Sequence, residues 1–333
     1  MRRALDLARS PDAALGPNPR VGCVLLDPDG TVVAEGYHRG AGWPHAEVEA
    51  LARAGDRARG STAVVTLEPC AHTGRTGPCT QALLDAGVVR VVLAQPDDTP
   101  VASGGADVLR AAGVEVEDGV LADQAAEVNR EWSLALHRRR PHLTWKFAAT
   151  LDGRVAAADG SSRWITSPEA RADVHGWRAR CDAVLVGTGT VRADDPRLTV
   201  RDGGRPLPRA RQPLRVVMGA SDLPAGARVL DEEAPSVHLR TRDPRAALAE
   251  LAARGCQQVW LEGGPRLAGA FVGAGLVDRV VAYYAPRLLG EGAAALGPAG
   301  VPTLAAAPAL VVADVRRVGP DVRVVAERPR AEE

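Results

Sequence analysis

Long apolar runs are missing from this chain of 333 residues, and none approaches the length that spans a bilayer. No membrane partner is therefore expected. The apolar core of a secretory leader is missing too. The chain opens Met1-Arg2-Arg3, but Asp6, Arg9 and Asp12 interrupt the stretch where that core would lie. An excess of charge of either sign is absent, because Lys+Arg and Asp+Glu both number 41. Without a basic surface, nucleic acid is not an expected partner. Cysteine is scarce and odd in number, at five, which argues against a disulfide framework. Cys23, Cys181 and Cys256 stand alone among apolar or small neighbours and read as buried thiols. That usage fits a reducing cytosol, so a cytoplasmic location is expected. Two familiar signatures are also lacking. There is no Gly-x-Gly-x-x-Gly, hence no standard dinucleotide fingerprint. There is no Cys-x-x-Cys either.

What the chain does hold is a 46 % hydrophobic composition, enough for sizeable cores, over a length that suggests two domains. It also holds His45-Ala46-Glu47, then Pro69-Cys70, then Cys79. One imidazole and two thiolates make three zinc ligands, and three protein ligands leave the fourth tetrahedral position open to water. Glu47 lies two residues past His45, where a carboxylate can take a proton from that water and return it to a leaving nitrogen. His-x-Glu followed by Pro-Cys and a later Cys is the pattern of zinc deaminases acting on cytosine-like and adenine-like rings. A second reading makes His72 a fourth ligand and the site a closed structural knuckle. Glu47 has no task in that reading, and structural ligands usually come in close pairs.

Around these residues the pattern alternates strand and helix. Residues 2–10 read as a helix, Val21 to Leu26 as a strand buried on both faces, and Thr31 to Tyr37 as its partner across the turn Asp27-Pro28-Asp29-Gly30. Pro44 precedes a helix whose first turn carries His45 and Glu47. Strands at Ala63–Leu67, Val88–Leu93 and Val114–Val116 alternate with helices at Cys79–Ala86 and Ala106–Ala112. A helix over Asp123–Leu136 closes the first domain, and His137 to Pro141 reads as a solvated, charged linker. Beyond it, strands at His142–Ala149, Ala183–Val186, Leu214–Met218, Gln258–Leu261 and Arg279–Tyr284 alternate with helices at Ser167–Arg180, Arg245–Arg254 and from Arg266. A terminal hairpin pairs Leu310–Val315 with Val322–Ala326. Gly187-Thr188-Gly189-Thr190 reads as a loop. Glu262-Gly263-Gly264-Pro265, between a strand and a helix, suits a phosphate held by helix N–H groups, or simply a tight turn.

Eight residues separate Cys70 from Cys79, and with Thr66-Leu67-Glu68-Pro69-Cys70 and Gly74-Arg75-Thr76 this longer form resembles the bifunctional deaminase/reductase of bacterial riboflavin biosynthesis. Lys146 through Gly153, Trp164-Ile165-Thr166, Ala193-Asp194-Asp195-Pro196, Glu262-Gly263-Gly264-Pro265 and Ala285 to Gly290 resemble its reductase half. The resemblance thus covers nearly the whole chain. It implies an α/β protein of two domains. One is a cytidine-deaminase-like zinc domain over residues 1–140, and the other a dihydrofolate-reductase-like domain over 141–333 that uses NADPH. The implied substrate is a small pyrimidine nucleotide, deaminated first and then reduced from ribosyl to ribityl, and a homo-oligomer is the expected assembly.

Carried over by position, the resemblance makes Asn18, His38, His72 and Arg75 substrate contacts of the deaminase. Glu47 and Asp194 become catalytic. Ala148, Trp164, Thr190, Asp194 and Gly264 would meet the cofactor. Ser162, Arg178, Leu198, Arg201 and Glu262 would meet the substrate, with Arg178 and Arg201 suited to a phosphate. Ordinary roles exist for several: Asn18 in a turn, His38 at the surface, Trp164 in the core, Arg178 as a solvated helix residue. Two departures from the family pattern stand out. Asp97-Asp98-Thr99-Pro100 replaces Asp-Pro-Asn-Pro, and Gly219-Ala220 replaces Asp-Ser, so no contact is carried to either. Two other functions compete. A nucleic-acid or nucleoside deaminase would favour Cys-x-x-Cys and a basic surface, and a zinc-stabilised nucleotide sensor would release no ammonia from a diaminopyrimidine.

Overall fold

The computed structural model describes residues 1–10, 18–40, 42–73, 77–97, 99 and 102–329. The chain divides into two compact units, Met1–His137 and Arg138–Glu333.

In the first unit the strands are β1 (Gly22–Leu26), β2 (Val32–Tyr37), β3 (Thr62–Val65), β4 (Arg90–Leu93) and β5 (Glu115–Glu117). They form one sheet in the order β2-β1-β3-β4-β5. β1 runs antiparallel to both neighbours, whereas β3, β4 and β5 are parallel. The helices are α1 (Arg2–Ala8), α2 (Ala46–Ala54), α3 (Cys79–Asp85), α4 (Gly105–Ala111), α5 (Ala122–Val128) and α6 (Arg130–Arg138). Side chains alternate across a strand, so an unbroken apolar run must have cover on both faces. Cys23 and Leu25 of β1 accordingly enter one core with Ala46, Ala50 and Leu83, while Val24 enters another with Ala4 and Leu7. The turn after β1 is held by Asp27, whose carboxylate accepts from the N–H groups of Asp29 and Thr31. Helix α2 lies directly on β2: a Cβ at Gly36 would sit 2.2 Å from the Ala46 carbonyl oxygen. The helix expected over Asp123–Leu136 is interrupted at Asn129. That buried side chain bonds the backbone of Arg20 in both directions, at 2.8 and 3.0 Å.

The second unit contains β6 (His142–Thr150), α7 (Pro168–Arg178), β7 (Ala183–Gly187), α8 (Thr188–Asp194), the short hairpin β8 (Arg201–Asp202) and β9 (Arg205–Pro206), β10 (Leu214–Met218) and β11 (Ser236–Leu239). Then come α9 (Pro244–Ala253), β12 (Gln258–Leu261), α10 (Pro265–Gly273), β13 (Arg279–Ala285), β14 (Val311–Val318) and β15 (Asp321–Glu327). The large sheet has the order β11-β10-β7-β12-β6-β13-β15-β14. Its first six strands are parallel, and β15 is antiparallel to both neighbours. Late-arriving β12 inserts between β6 and β7, so loops from distant parts of the chain meet at the carboxyl ends of these strands. Ligands of open α/β sheets bind at such a place.

Three sequence expectations change here. Thr188–Asp194 is helical, not a loop; Val191 is its one buried residue, a signal too short to read as a helix. β11 has no counterpart among the expected strands, and only Leu239 of its four residues is fully buried. The basic connection is not simply solvated. Asp278, 3 % exposed, accepts hydrogen bonds from Arg138, from Arg140 at 2.6 and 2.8 Å, and from the Leu143 N–H at 2.9 Å. Burial alone would raise the Asp278 pKa, but the bonds from Arg140 and nearby positive charge hold it below the usual carboxylate range.

Two candidate catalytic sites

The first site is built on two helix starts. His45 is the N-cap of α2, and Cys79 is the first residue of α3, capped by Pro78. Helix N-termini carry partial positive charge, which favours thiolates and carboxylates beside them. Cys70 comes from the loop after β3. That loop is fixed by Glu68, whose buried carboxylate accepts from the Asp97 N–H at 3.0 Å and the Ala106 N–H at 2.8 Å. Gly105 permits the approach, because a Cβ there would lie 1.8 Å from the Pro69 carbonyl oxygen.

The three ligand atoms lie within 4.8 Å of one another. His45 Nδ1 is 3.2 Å from Cys79 Sγ and 3.6 Å from Cys70 Sγ. Tetrahedral zinc, at its usual bond lengths to nitrogen and sulfur, would space such atoms about 3.5–3.8 Å apart. The donor set therefore fits the ion in identity and spacing. A hydrogen bond from Cys79 and another with His45 push the Cys70 thiol well below its ordinary value, and the same shared proton and burial push Cys79 up. The bond with Cys70 raises His45. Glu47 is 3 % exposed, and burial raises its pKa to about 7.

His38 is not a surface residue. It is 3 % exposed, and its ring meets that of His45 edge to face at 5.2 Å. Its Nδ1 bonds the Pro44 carbonyl oxygen at 3.0 Å and its Nε2 bonds Asn18 Nδ2 at 2.8 Å. The ring is therefore neutral, with Nδ1–H donating and Nε2 accepting; burial lowers its pKa accordingly. Among the described residues this chain of contacts leaves Asn18 Oδ1 and its second N–H for a ligand. Among the described residues His72 Nδ1 is buried without a hydrogen-bond partner, an unmet group on the segment between the two cysteines. His72 is not part of the three-ligand cluster. Arg75 lies outside the described residues.

The second site is a cleft of about 1820 Å³ at the strand ends of the second unit. Ala148, Ser162, Trp164, Arg178, Thr190, Asp194, Leu198, Arg201, Glu262 and Gly264 all line it. Its wall carries ten Lys and Arg side chains against the carboxylates of Asp194 and Glu262, a field that favours a ligand with several phosphates. Gly264 is the N-cap of α10, with Pro265 in its first turn. Trp164 is 63 % exposed rather than a core residue, and the Arg171 guanidinium stands 4.4 Å from its ring centroid. Leu198 is 4 % exposed and belongs to the core beneath the cleft. Asp194 ends α8 and pairs with Arg163 at 3.6 Å.

Arg178 differs from its expected role as a phosphate clamp. Its Nε and Nη2 bond both oxygens of Glu262, at 2.5 and 2.7 Å, so its bidentate edge already has a partner. Glu262 also accepts from Trp260 Nε1 at 2.6 Å. Burial opposes ionisation of Glu262, but Arg178 and Lys146 bring its pKa down to about 2. Arg201 keeps its guanidinium free for a phosphate among the described residues, while its N–H donates to His175 Nδ1 at 3.3 Å. Two cleft residues escape a reading of the sequence. Lys146, half-buried and close enough to Glu262 to act on its charge, sits mid-strand, where its place in the lysine-containing segment suggests no separate role. His175 lies one helical turn before Arg178, and burial, then Arg178, pushes it down to about 4.

Comparison with known proteins agrees with both halves. The family model "Cytidine and deoxycytidylate deaminase zinc-binding region" matches residues 1–95, and "RibD C-terminal domain" matches residues 141–324. The riboflavin biosynthesis protein RibD of Mycobacterium tuberculosis H37Rv is 51 % identical over 310 residues, covering 92 % of this chain and 90 % of that protein. RibD of Escherichia coli K12 is 40 % identical over 355 residues, covering 97 % and 96 %. A solved structure of Acinetobacter baumannii RibD superposes with a TM-score of 0.90 at 38 % identity, covering 99 % of this chain and 98 % of that one. The Thermotoga maritima diaminohydroxyphosphoribosylaminopyrimidine deaminase/5-amino-6-(5-phosphoribosylamino)uracil reductase superposes at 0.87 with 31 % identity, covering 99 % and 97 %.

Proposed function

The chain belongs to the RibD family of bifunctional riboflavin-biosynthesis enzymes, and from that premise we propose which of its residues carry out each of the two reactions. The deaminase occupies residues 1–140 and the reductase residues 141–333. The first reaction exchanges the 2-amino group of 2,5-diamino-6-ribosylamino-4(3H)-pyrimidinone 5′-phosphate for oxygen and releases ammonia. The second reduces the ribosyl group of 5-amino-6-(5-phosphoribosylamino)uracil to ribityl with NADPH.

What carries this reading is the meeting of His45 Nδ1, Cys70 Sγ and Cys79 Sγ beside the buried carboxylate of Glu47. Those three residues would hold zinc, which when bound supplies Lewis acidity and a water whose pKa is near 7. Glu47 takes a proton from the attacking water and delivers it to the departing nitrogen. Its burial beside the three ligands keeps the carboxylate within reach of both proton steps. Asn18, oriented by neutral His38, holds the pyrimidine edge, His72 is a further substrate contact, and the sequence resemblance gives Arg75 the same role.

NADPH bound in the cleft would supply the hydride, and the protein would align the sugar carbon with it. Ala148, Trp164, Thr190 and Gly264 would hold the cofactor, and Asp194 would meet both ligands. Arg201 holds the substrate phosphate, Ser162 and Leu198 shape its seat, and the Arg178–Glu262 pair presents its outer edge to the substrate.

The protein works in the cytoplasm as a homo-oligomer. Among the described residues no helix is long and apolar enough to cross a membrane. An oligomer is supported by β14, an edge strand on which Val311, Val312 and Val315 are each more than half exposed. Mass spectrometry of products from the diaminopyrimidine nucleotide tests the whole reading. Without NADPH the amino group alone should be exchanged, and with NADPH the sugar should also be reduced. An unchanged substrate in zinc-loaded protein would refute it.

A further inference from the structure

We propose that Arg242 selects NADPH over NADH by binding the phosphate on the adenosine 2′-oxygen. The inference rests on the reading of the cleft as the dinucleotide site. The two cofactors differ only in that phosphate, so discrimination must come from groups that meet it.

The sheet order says where those groups should be. A pyrophosphate at the N-terminus of a helix that follows a parallel strand leaves the adenosine ribose over neighbouring strand ends. Here α10 follows β12, and the strands beyond are β7, β10 and β11. The residues just past β10 and β11 that line the cleft are Gly219, Thr241 and Arg242. In such sites a carboxylate accepts from a free 2′-hydroxyl, whereas an arginine accommodates a 2′-phosphate.

Two carboxylates stand beside these residues in the chain, Asp222 and Asp243, and both are engaged, Asp243 by accepting from the Arg245 N–H at 2.8 Å. Asp222 is paired with Arg240 at 2.6 Å, and the same arginine reaches the Ala220 carbonyl oxygen at 3.4 Å. Among the described residues neither Asp222 nor Asp243 lines the cleft, and Arg240 is occupied by its pair. Arg242 is exposed and, among the described residues, has no hydrogen bond or ion pair, so its guanidinium keeps all five N–H donors. Beside it, Thr241 Oγ1 accepts from the Asp243 N–H at 3.0 Å and still has its own proton to give. An unpaired guanidinium and a hydroxyl donor form a phosphate seat at the outer end of the cleft. Arg266 also lines the cleft with no ion pair among the described residues, but it lies in the first turn of α10. It faces the phosphates that both cofactors share and so gives no discrimination.

The test measures dissociation constants of the full-length protein for NADPH, NADH and adenosine 2′,5′-bisphosphate. The variants are Arg242→Ala, Arg242→Lys and Arg266→Ala. Arg242 is exposed, so its replacement leaves the fold intact. Loss of charge-assisted bonds should weaken NADPH and the bisphosphate roughly 10- to 100-fold in Arg242→Ala. NADH binding should stay nearly unchanged, and lysine should recover part of the loss. Arg266→Ala should weaken both cofactors alike. An unchanged NADPH/NADH ratio in Arg242→Ala, in a protein whose wild type binds NADPH, overturns this proposal alone. A ratio that collapses in Arg266→Ala instead overturns it too. Wild-type protein that binds neither dinucleotide overturns the reading of the cleft and this proposal with it.

Discussion

Single side chains divide the chemistry of this protein. Glu47 is buried and next to the ligand cluster, but it is not one of the three ligands. Replacing it with Gln keeps size and hydrogen-bonding reach while removing the base. Zinc content should stay at the wild-type level, and ammonia release should fall by about 10²–10⁴-fold, the usual contribution of general acid–base catalysis. NADPH oxidation on supplied deaminated intermediate should stay near wild type. Retained deamination would deny Glu47 its role, and lost zinc would make it a ligand or a support. Asp194 offers the complementary test. It ends a short helix at the cleft wall, and Asp194→Asn should lower NADPH oxidation at least about tenfold, the cost of one charge-assisted contact, with ammonia release unaffected. A fall in both activities would mean that Asp194 supports the fold instead.

At the scale of elements, the zinc ligands depend on how helices seat against loops. Cys70 is held in place by Glu68, which ties its loop to the start of α4, and by the bare Cα of Gly105 against Pro69. A methyl group at position 105 meets backbone, which cannot swing aside as a side chain can. Gly105→Ala should therefore push α4 from the loop and weaken zinc binding, read by competition with a chelator, while NADPH binding is retained. Loss of about 1–3 kcal/mol of stability, typical of overpacking, should accompany it in thermal unfolding of the deaminase unit. Unaltered zinc affinity would mean that the loop holds Cys70 without help from α4. The strand pattern and most helices are legible in the sequence because apolar periodicity is local. Helix α8 and strand β11 are not, since each has a single buried residue and is held by its neighbours rather than by its own pattern.

At the scale of the molecule, the division into two units predicts that each activity can be separated, and the place of the cut matters. The charged run ending in Pro141 places it there on sequence grounds. Arg138 and Arg140, however, compensate the buried charge of Asp278 within the second unit. Leaving a buried charge unpaired costs about 3–5 kcal/mol. A fragment of residues 138–333 should fold and bind NADPH. A fragment of residues 142–333 should be less stable by roughly that amount, measured by denaturant unfolding. Equal stability of the two would show that solvent or Arg279 serves Asp278 equally well.

The amino-acid sequence alone determined the zinc chemistry, the two-domain α/β class and the family, because each rests on residue types at short, fixed spacings. His45, Glu47 and Cys70 announce their task by kind and order, and Gly264 before Pro265 announces a helix start. Which side chains are already engaged was decided only by the folded chain. Arg178 and Glu262 are 84 residues apart, and nothing local says that they neutralise each other. Nor does local sequence say that Arg240 is taken by Asp222 while Arg242 has no partner among the described residues. An ion pair depends on distance in space, and the sheet order that inserts β12 between β6 and β7 sets those distances.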